Sequence, residues 1–212
     1  MLTRYLTVKE DGTHETEIKK SRFICTLFRI KTETEAKEII QAIKKEHWKA
    51  SHNCHAYVLG DNSDCQRSSD DGEPSGTAGI PMLEILKKRE LINTLAVVTR
   101  YFGGTELGKG GLIRAYGGAV NEALDSIGIV EGKLQQEIML TVDYAQHSKV
   151  ENFLANSSYD LKATEFTDKV ILTCMIDENK LSAFETDITE LLNGQQELSL
   201  GEKSYFEKDY LG

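Results

Sequence analysis

The hydrophobic and polar positions of residues 1–132 alternate between the period of a strand and that of a helix. Residues 22–30 (RFICTLFRI) are rich in β-branched and aromatic side chains, which predicts a strand. Thr32 and Glu35 form a capping-box pattern ahead of apolar residues at helical spacing, so a helix of about four turns is predicted towards Trp48. Residues 52–59 predict a second strand, which ends at a turn.

A long polar loop separates these elements from further helix and strand patterns. Residues 61–79 are mostly polar or glycine, and loops of this length inside a compact domain are usually functional or disordered. Pro81 fits the first turn of a helix that carries Met82 and Leu86. Residues 95–102 predict a buried strand. From Leu112, apolar residues recur at helical spacing as far as residue 127, which predicts a second amphipathic helix.

The pattern changes near residue 134. Strands are predicted over 137–142, 159–166, 170–176 and 197–206, with helices over 146–156 and 181–192. That βαββαβ order predicts a ferredoxin-like α+β sandwich. The stretch from Gly128 to Gly132 is predicted to be the hinge between two domains, 1–132 and 133–212.

Composition narrows the class of protein. No apolar run approaches the ~20 residues that cross a bilayer, and the amino-terminal residues lack the apolar segment of an export signal. The four cysteines are too few and too scattered for a disulfide framework. We therefore expect a cytoplasmic protein with reduced thiols and no membrane partner.

The net charge of −9 is unevenly distributed along the chain. Residues 1–132 hold 18 Lys/Arg against 19 Asp/Glu, a net of −1, whereas residues 133–212 hold 7 against 15, a net of −8. A polyanion such as RNA would therefore have to bind a local surface of residues 1–132, because the net charge of the whole protein repels it.

Seven of the 17 glycines lie between residues 98 and 118, after a predicted buried strand and before a predicted helix. A glycine inside a helix or strand costs roughly 0.5–1 kcal/mol relative to alanine, so this cluster indicates a special role. Glycine loops at helix starts expose backbone N–H groups that hold phosphate or another anion. Arg100, Lys109 and Arg114 flank this loop, and Tyr101 and Phe102 offer faces for stacking. Anion or RNA contact is one interpretation; tight turns and close helix–strand packing are the other.

A P-loop NTPase is disfavoured for this segment. Gly103-x4-Gly108-Lys109 copies most of the P-loop pattern, but Gly110 stands where Ser or Thr would bind magnesium. No nearby predicted strand ends in a metal-holding Asp, and the dinucleotide-binding G-x-G-x-x-G pattern is absent.

Residues 68–81 (SSDDGEPSGTAGIP) form a second candidate segment. Its carboxylates could bind magnesium, and its small polar residues could contact phosphate. A polar Ω-type loop in which Thr77 or Ser75 caps the next helix would explain one or two residues but not the whole run. The segment therefore favours a functional role of undefined kind.

A third segment, residues 51–55 (SHNCH), supplies zinc-type ligands together with Cys65. On a strand, His52 and Cys54 face one side and His55 the other, so the ligands do not converge. The same geometry argues against a Cys–His nucleophile. Core or strand-edge histidines are the favoured interpretation.

Two segments also carry a resemblance to a known family. Residues 69–79 (SDDGEPSGTAG) and 98–108 (VTRYFGGTELG) resemble the two signatures of the IMPACT family, in particular its bacterial YigZ/YvyE-type members. The resemblance extends over essentially the whole chain. It implies a first domain like domain 2 of ribosomal protein S5, followed by a ferredoxin-like domain, the order of domains IV and V of the translation factor EF-G. Eukaryotic members regulate a translational stress kinase through an additional RWD domain, a role not expected here.

We therefore expect a translation-associated protein that binds structured RNA or the ribosome, without a cofactor, a bound metal, catalytic residues or sequence-specific recognition of DNA. Its contacts are predicted in the glycine-rich segment, at Arg100, Tyr101, Phe102, Gly103, Gly104, Gly108, Lys109, Gly110 and Arg114. The other loop is predicted to complete a composite surface, with Asp70, Asp71, Glu73, Ser75, Gly76 and Thr77.

The competing hypothesis is a magnesium-dependent hydrolase or transferase that acts on a phosphorylated small molecule. It requires the carboxylates of the second segment to hold the metal opposite the glycine loop, within reach of one substrate. A protein–protein adaptor is a third possibility, for which the sequence offers no positive sign.

Overall fold

The computed structural model describes residues 2–211, in which strands and helices alternate along most of the chain. The elements are β1 (Arg4–Val8), β2 (Gly12–Ile18), β3 (Ser21–Arg29), α1 (Glu33–Glu46), β4 (His52–Leu59), β5 (Cys65–Ser69), α2 (Gly79–Lys88), β6 (Thr94–Tyr101), α3 (Gly108–Ile127), β7 (Ile129–Val142), α4 (Tyr144–Ala155), β8 (Asp160–Phe166), β9 (Val170–Ile176), a 3-10 turn (Glu178–Lys180), α5 (Leu181–Leu192) and β10 (Glu197–Asp209). The chain divides into two compact units. The first unit contains the residues up to Glu131 and those from Lys208 on, and the second unit is Gly132–Glu207.

The first unit is built around an antiparallel sheet in the order β2-β3-β6-β4-β5. Its central strand β6 is buried on both faces, and the alternation of side chains divides it between two cores. Ala96 and Val98 pack with α2 and α3, whereas Leu95 and Val97 pack with α1. Arg100 continues the series of Ala96 and Val98, so its side chain leaves the strand on the α2/α3 side.

Helix α1 begins where the sequence predicts. The Thr32 hydroxyl accepts a hydrogen bond from the Glu35 N–H at 3.1 Å, and the Glu35 carboxylate accepts one from the Lys31 N–H at 2.7 Å. These contacts satisfy N–H groups that the first turn leaves without helical partners. Lys44 and Lys45 lie in the last turn, where they complement the negative end of the helix.

Four features of the fold differ from the prediction. Strands β1 and β2 were not predicted, and β5 lies inside the predicted loop 61–79, because its polar sequence CQRSS lacks strand periodicity and pairs only with β4. Helix α3 begins at Gly108 rather than Leu112, so the glycine loop is shorter than predicted. Strand β7 begins at Ile129 and continues through Gly132, so most of the predicted hinge lies in a strand, although the boundary between the two units, after Glu131, does fall within that stretch.

The second unit confirms the predicted βαββαβ order, starting from β7. Strand β7 pairs with β1, β9 and β10, and β8 pairs with β9. Alternate residues of β7 and β9 form one core with α4 and α5, which includes Leu140, Leu172 and Phe184. No helix within residues 2–211 is long and apolar enough to cross a membrane.

The core of the second unit predicts a contrast between two phenylalanines. Phe184 is fully buried, whereas Phe166 is 60% exposed. We expect Phe184→Ala to lower the free energy of unfolding by about 3–5 kcal/mol, because it leaves a cavity, and Phe166→Ala to lower it by much less. Urea denaturation followed by far-UV circular dichroism measures both. Equal effects would show that the core does not depend on Phe184.

Candidate functional site

The two segments singled out by the sequence meet in the first unit, where they line one groove of about 400 Å³. The groove walls come from β4, the loop before α2, the loop after β6 and the start of α3. The lining residues are His52, Glu73, Pro74, Arg100, Phe102, Glu106, Leu107, Gly108, Lys109 and Leu112. The requirement that the two loops lie side by side is therefore met.

A buried ion pair lies at the floor of the groove. Arg100 Nη1 donates to Glu73 Oε1 at 2.6 Å, and both side chains are more than nine-tenths buried. The Tyr116 hydroxyl donates to the same Glu73 oxygen at 2.7 Å. Burial raises the pKa of Tyr116 far above its usual range, and Cys54 and Glu73 raise it further, so the phenol stays protonated as a donor.

Arg100 also organises the aromatic residues around it. Its guanidinium lies over the rings of Phe23 and Phe102, 5.4 and 5.5 Å from their centroids. Its Nη2 lies 3.5 Å from Ser21 Oγ, which also accepts the Gly103 N–H at 3.1 Å. Arg100, which the sequence predicts as an RNA contact, is buried at the groove floor, in a supporting position beneath Phe102.

His52 faces Arg100 across the β4–β6 ladder and enters the same groove. Its Nδ1 lies 2.9 Å from the backbone oxygen of Asp71. Because a carbonyl oxygen only accepts hydrogen bonds, Nδ1 carries a proton and donates to it. Nε2 lies 3.7 Å from Glu73 Oε2.

Asp70 holds the start of α2. Its carboxylate accepts the N–H groups of Gly76, Ala78 and Gly79 at 2.8–3.0 Å, although Asp70 lies eight residues before the cap position. Burial alone would raise the pKa of Asp70, but these three backbone donors outweigh it and hold the pKa below its usual value. The alternative interpretation, in which Thr77 or Ser75 caps this helix, is therefore wrong.

Asp71 joins the loop to the helix and strand on the other side. It accepts the Lys44 ammonium at 2.5 Å and the Asn53 N–H at 2.7 Å, and its backbone adopts a left-handed φ of 43°. Burial alone would raise its pKa, but these contacts, led by the hydrogen bond from Lys44, lower it overall. Asp71 therefore fixes the loop against α1 and β4.

The carboxylates of this loop do not converge on a metal site. Asp70 faces the start of α2, Asp71 faces Lys44, and Glu73 faces Arg100. No group of three or more His, Cys, Asp or Glu residues suitable for a metal ion occurs in the described part of the chain. The arrangement required for a magnesium-dependent enzyme is thus not formed by these side chains.

Two glycines of the glycine-rich segment 98–118 have clear structural reasons. A Cβ at Gly103 would lie 2.0 Å from the backbone carbon of Lys20, so only glycine allows this close approach. Gly108 opens α3 with a φ of 70°, a left-handed value that side chains disfavour. For these two positions the packing interpretation of the glycine cluster accounts for the residue. Gly104 also has a left-handed φ, of 84°, and both Gly104 and Gly110 are exposed.

Other predicted contact residues lie away from the groove. The Tyr101 hydroxyl bonds His47 Nδ1 at 2.9 Å, on the α1 side of the sheet. Thr77 is buried, and its hydroxyl donates to the Pro74 carbonyl at 2.6 Å, so it is not available to a phosphate. Ser75 is exposed but does not line the groove.

The rim of the groove combines an open helix end with exposed side chains. Helix α3 begins without a side-chain cap, so its first N–H groups and positive end face the groove entrance. Lys109 and Arg114 are exposed there, and the Arg114 guanidinium lies 3.6 Å from where a Cβ of Gly110 would stand. Phe102 is 50% exposed. Glu106, which is also exposed, adds one carboxylate to the same rim. The two cations, the free helix end and the exposed ring together favour an anionic ligand with a flat aromatic group.

The cysteine beneath the groove has an unreactive thiol. Cys54 donates its S–H to the Asp70 carbonyl at 3.0 Å, and burial raises its pKa to about 12. A thiol with this pKa remains protonated at neutral pH and does not act as a nucleophile.

Sequence reasoning missed several residues of the groove: His52 as a groove residue, Pro74, Glu106, Leu107 and Leu112. His52 was assigned to the core or to a strand edge because the sequence does not give the register of β4 against β6. The pairing of His52 with Arg100 in that register is the information that would have identified it.

Comparisons with known proteins cover both units. The Impact N-terminal domain matches residues 19–124, and a domain of unknown function (DUF1949) matches residues 140–195. The IMPACT family member YvyE of Bacillus subtilis (strain 168) is 54% identical over 208 residues, 98% of this chain and 96% of that protein. The IMPACT family member YigZ of Escherichia coli (strain K12) is 36% identical, over 86% and 90% of the two chains. The crystal structure of a hypothetical protein is 34% identical with a TM-score of 0.59, over 96% of this chain and 100% of that one.

The buried ion pair predicts a large difference between two arginines. We expect Arg100→Ala to lower the free energy of unfolding by about 3–5 kcal/mol, because Glu73 would remain buried without its counterion. Arg114→Ala removes the same side chain from an exposed position, so its effect should stay within about 0.5 kcal/mol. Urea denaturation followed by circular dichroism compares the two. A cost at Arg100 no larger than that at Arg114 would contradict a structural role for the pair.

The hydrogen bonds of Asp70 predict an acid-dependent stability. Because the folded-state pKa is depressed, the carboxylate stabilises the fold fully above its unfolded pKa of about 3.9, and this contribution is lost as the pH falls through the lower folded value. We therefore expect Asp70→Asn to be least stable relative to the wild type above pH 5, with the difference shrinking below pH 4. Thermal unfolding from pH 7 to pH 2 measures this, with the exposed Asp61→Asn as control. A difference that stays constant with pH would show that Asp70 is not ionised in this role.

Proposed function

Since the chain belongs to the IMPACT family, we propose that it acts in translation by binding structured RNA, free or within the ribosome, through the groove and its rim. The observation that carries the proposal is the uncapped start of the 20-residue helix α3 beside exposed Lys109, Arg114 and Phe102. Backbone N–H groups, cations and an aromatic face are the groups that bind phosphate and bases of single-stranded or looped RNA.

The charge distribution supports a local contact of limited size. The first 132 residues are close to neutral, and the excess negative charge lies in the remainder of the chain. RNA would therefore approach the rim rather than the protein at large, and few phosphates would be neutralised. Arg100 takes no direct part, because its charge is matched by Glu73 below the rim. Its role is to hold Phe102 in place.

We also propose a fold class for each of the two units. Within the second unit β7 pairs with β9 and β10, β9 pairs with β8, and two helices pack into one core with these strands, which supports a ferredoxin-like second domain. The first unit, with one helix on one side of its sheet and two on the other, is assigned to the class of ribosomal protein S5 domain 2 on the strength of the family resemblance. Domains of these two classes occur in the same order in EF-G, which supports a translational role.

The competing enzymatic function has less support. Its requirement for neighbouring loops is met, but the carboxylates that would hold magnesium face three separate partners within the protein. The RNA-binding proposal needs no such convergence.

The proposal predicts that charge reversal at the rim weakens binding to ribosomes. In a co-sedimentation series over increasing salt, we expect Lys109→Glu/Arg114→Glu to bind less than the wild type at every salt concentration. The slope of log affinity against log salt should become shallower by about 1 for each phosphate contact removed.

A matched variant controls for the change in net charge. Lys45 and Lys88 are exposed on α1 and α2, so Lys45→Glu/Lys88→Glu changes the net charge equally without altering the rim. This control should bind as the wild type does, apart from a small uniform loss. If both double variants and the wild type bind ribosomes and ribosomal RNA equally, the proposal is wrong.

A further inference from the structure

The two faces of the sheet in the first unit are covered unequally. On one face α3 packs against β2 and β3, and α2 packs against β4 and β5. On the other face α1 packs against β4 and β6, and the described residues of the first unit supply no second helix there. Two neighbouring strands span about 10 Å, which is also about the width of one helix. The position over β2 and β3, beside α1, therefore has room for one more helix.

A groove of about 530 Å³ lies at this position, between α1 and the exposed side of β3. We call it the α1 groove; the apolar residues that line it are Ile24, Phe28, Ile39, Ala42 and Ile43. Ile24 and Phe28 share one side of β3, and Ile39 and Ala42 lie three residues apart on one flank of α1. Phe28 and Ile39 are only partly buried by the core that they border. A strand floor with one helical wall suits the apolar stripe of a second helix.

Four carboxylates border the α1 groove, Glu15 and Glu17 on β2 and Glu38 and Glu46 on α1. Glu15 and Glu17 alternate along β2 with Thr13, which lines the groove, so they share its side of the strand. Glu46 also lines the groove, and Glu38 lies one turn before Ala42 on α1. The groove thus has acidic residues along both of its long sides.

The cations nearby leave this border negative. Arg22 donates to the Glu15 carboxylate at 2.7 and 2.9 Å and offsets its charge, and Lys45 is the neighbour of Glu46. Four carboxylates against these two cations leave a net charge of −2. The ends of the groove add a balanced set, Asp11 and Glu35 against Lys31 and Lys49. The border therefore favours a positively charged partner and disfavours a nucleic acid.

From the open helix position, the apolar groove and its acidic border, we infer that the α1 groove binds an amphipathic helix of a partner protein, with Lys and Arg on the polar side of that helix. Apolar residues at helical spacing would pack on Phe28 and Ile39, and the flanking cations would face Glu17 and Glu46. A second copy of this chain fits less well, because its own net charge is −9. This surface lies on the face of the sheet opposite α2 and α3, so the inference goes beyond the proposed RNA contact.

Selection of peptides tests the inference directly. A display library of random peptides, long enough for about four helical turns, is selected on the wild-type protein. We expect the enriched peptides to carry apolar residues at helical spacing and Lys or Arg at the remaining positions. Enriched peptides with acidic polar positions or without helical spacing would overturn the inference, and so would a selection that enriches nothing.

Two variants of α1 show whether the enriched peptides bind in the α1 groove. Ala42 is exposed and lines the groove, so Ala42→Arg obstructs it and repels a basic peptide. We expect the affinity, measured by fluorescence anisotropy, to fall roughly 10- to 100-fold. Gln41→Arg adds the same charge on the other flank of α1, where Lys44 bonds Asp71, and should leave the affinity unchanged. Equal affinities for the wild type and Ala42→Arg would overturn the inference.

A charge reversal tests the acidic border with the same peptide. Glu46→Lys should weaken binding roughly 2- to 5-fold, and the difference should shrink as salt is added. Glu84→Lys, at an exposed position on α2, changes the net charge equally and should have little effect. Equal losses in the two variants would contradict a role for the border. Displacement of the peptide by a single-stranded uridine oligonucleotide would show that the groove takes RNA and would overturn the inference.

Discussion

The ion pair between Glu73 and Arg100 is the interaction on which the arrangement of this site depends. A buried charge is tolerated only with a partner and further hydrogen bonds, and here Tyr116 and Ser21 supply contacts to the two members of the pair. The pair therefore connects the loop before α2 to the central strand β6, and through Tyr116 to α3. Phe102 and the start of α3 stand where they do because these contacts hold their neighbours.

The three consecutive motif residues that begin with Arg100 have three different structural roles. In the chain, Arg100, Tyr101 and Phe102 are consecutive, yet they serve different ends: Arg100 lies inside, Tyr101 bonds α1 and Phe102 reaches the groove. The alternation of side chains along a strand is the physical reason for the first two. A motif read as one functional string thus contains a core residue, a structural contact and an exposed ring.

The sequence predicted the periodic elements well, because apolar spacing reflects burial directly. Strands β4 and β9 and helix α5 have the predicted boundaries. It also identified both loops that meet at the groove, since runs of small and charged residues are unusual inside a domain.

The features that the sequence did not predict depend on contacts between residues far apart in the chain. The polar strand β5 has no periodicity of its own, and the inward position of Arg100 depends on Glu73, 27 residues earlier in the chain. The cap of α2 was assigned to neighbouring hydroxyls because local rules name them first, whereas Asp70 reaches the same N–H groups from farther away. His52 lies in the groove because of the register in which β4 pairs with β6, and local sequence patterns do not define that register.

The Arg100 guanidinium also has a consequence for how the first unit reaches its final state. Its partner Ser21 lies 79 residues away in sequence, and Tyr116 joins Glu73 over 43 residues, so the floor of the groove closes only after distant strands have paired. The groove is accordingly built from residues far apart in the chain rather than from a local loop structure. A ligand that binds there binds only the completed unit, and by mass action it stabilises the whole of that unit against unfolding. The free energy of unfolding of the first unit would then increase as more of the protein binds its ligand.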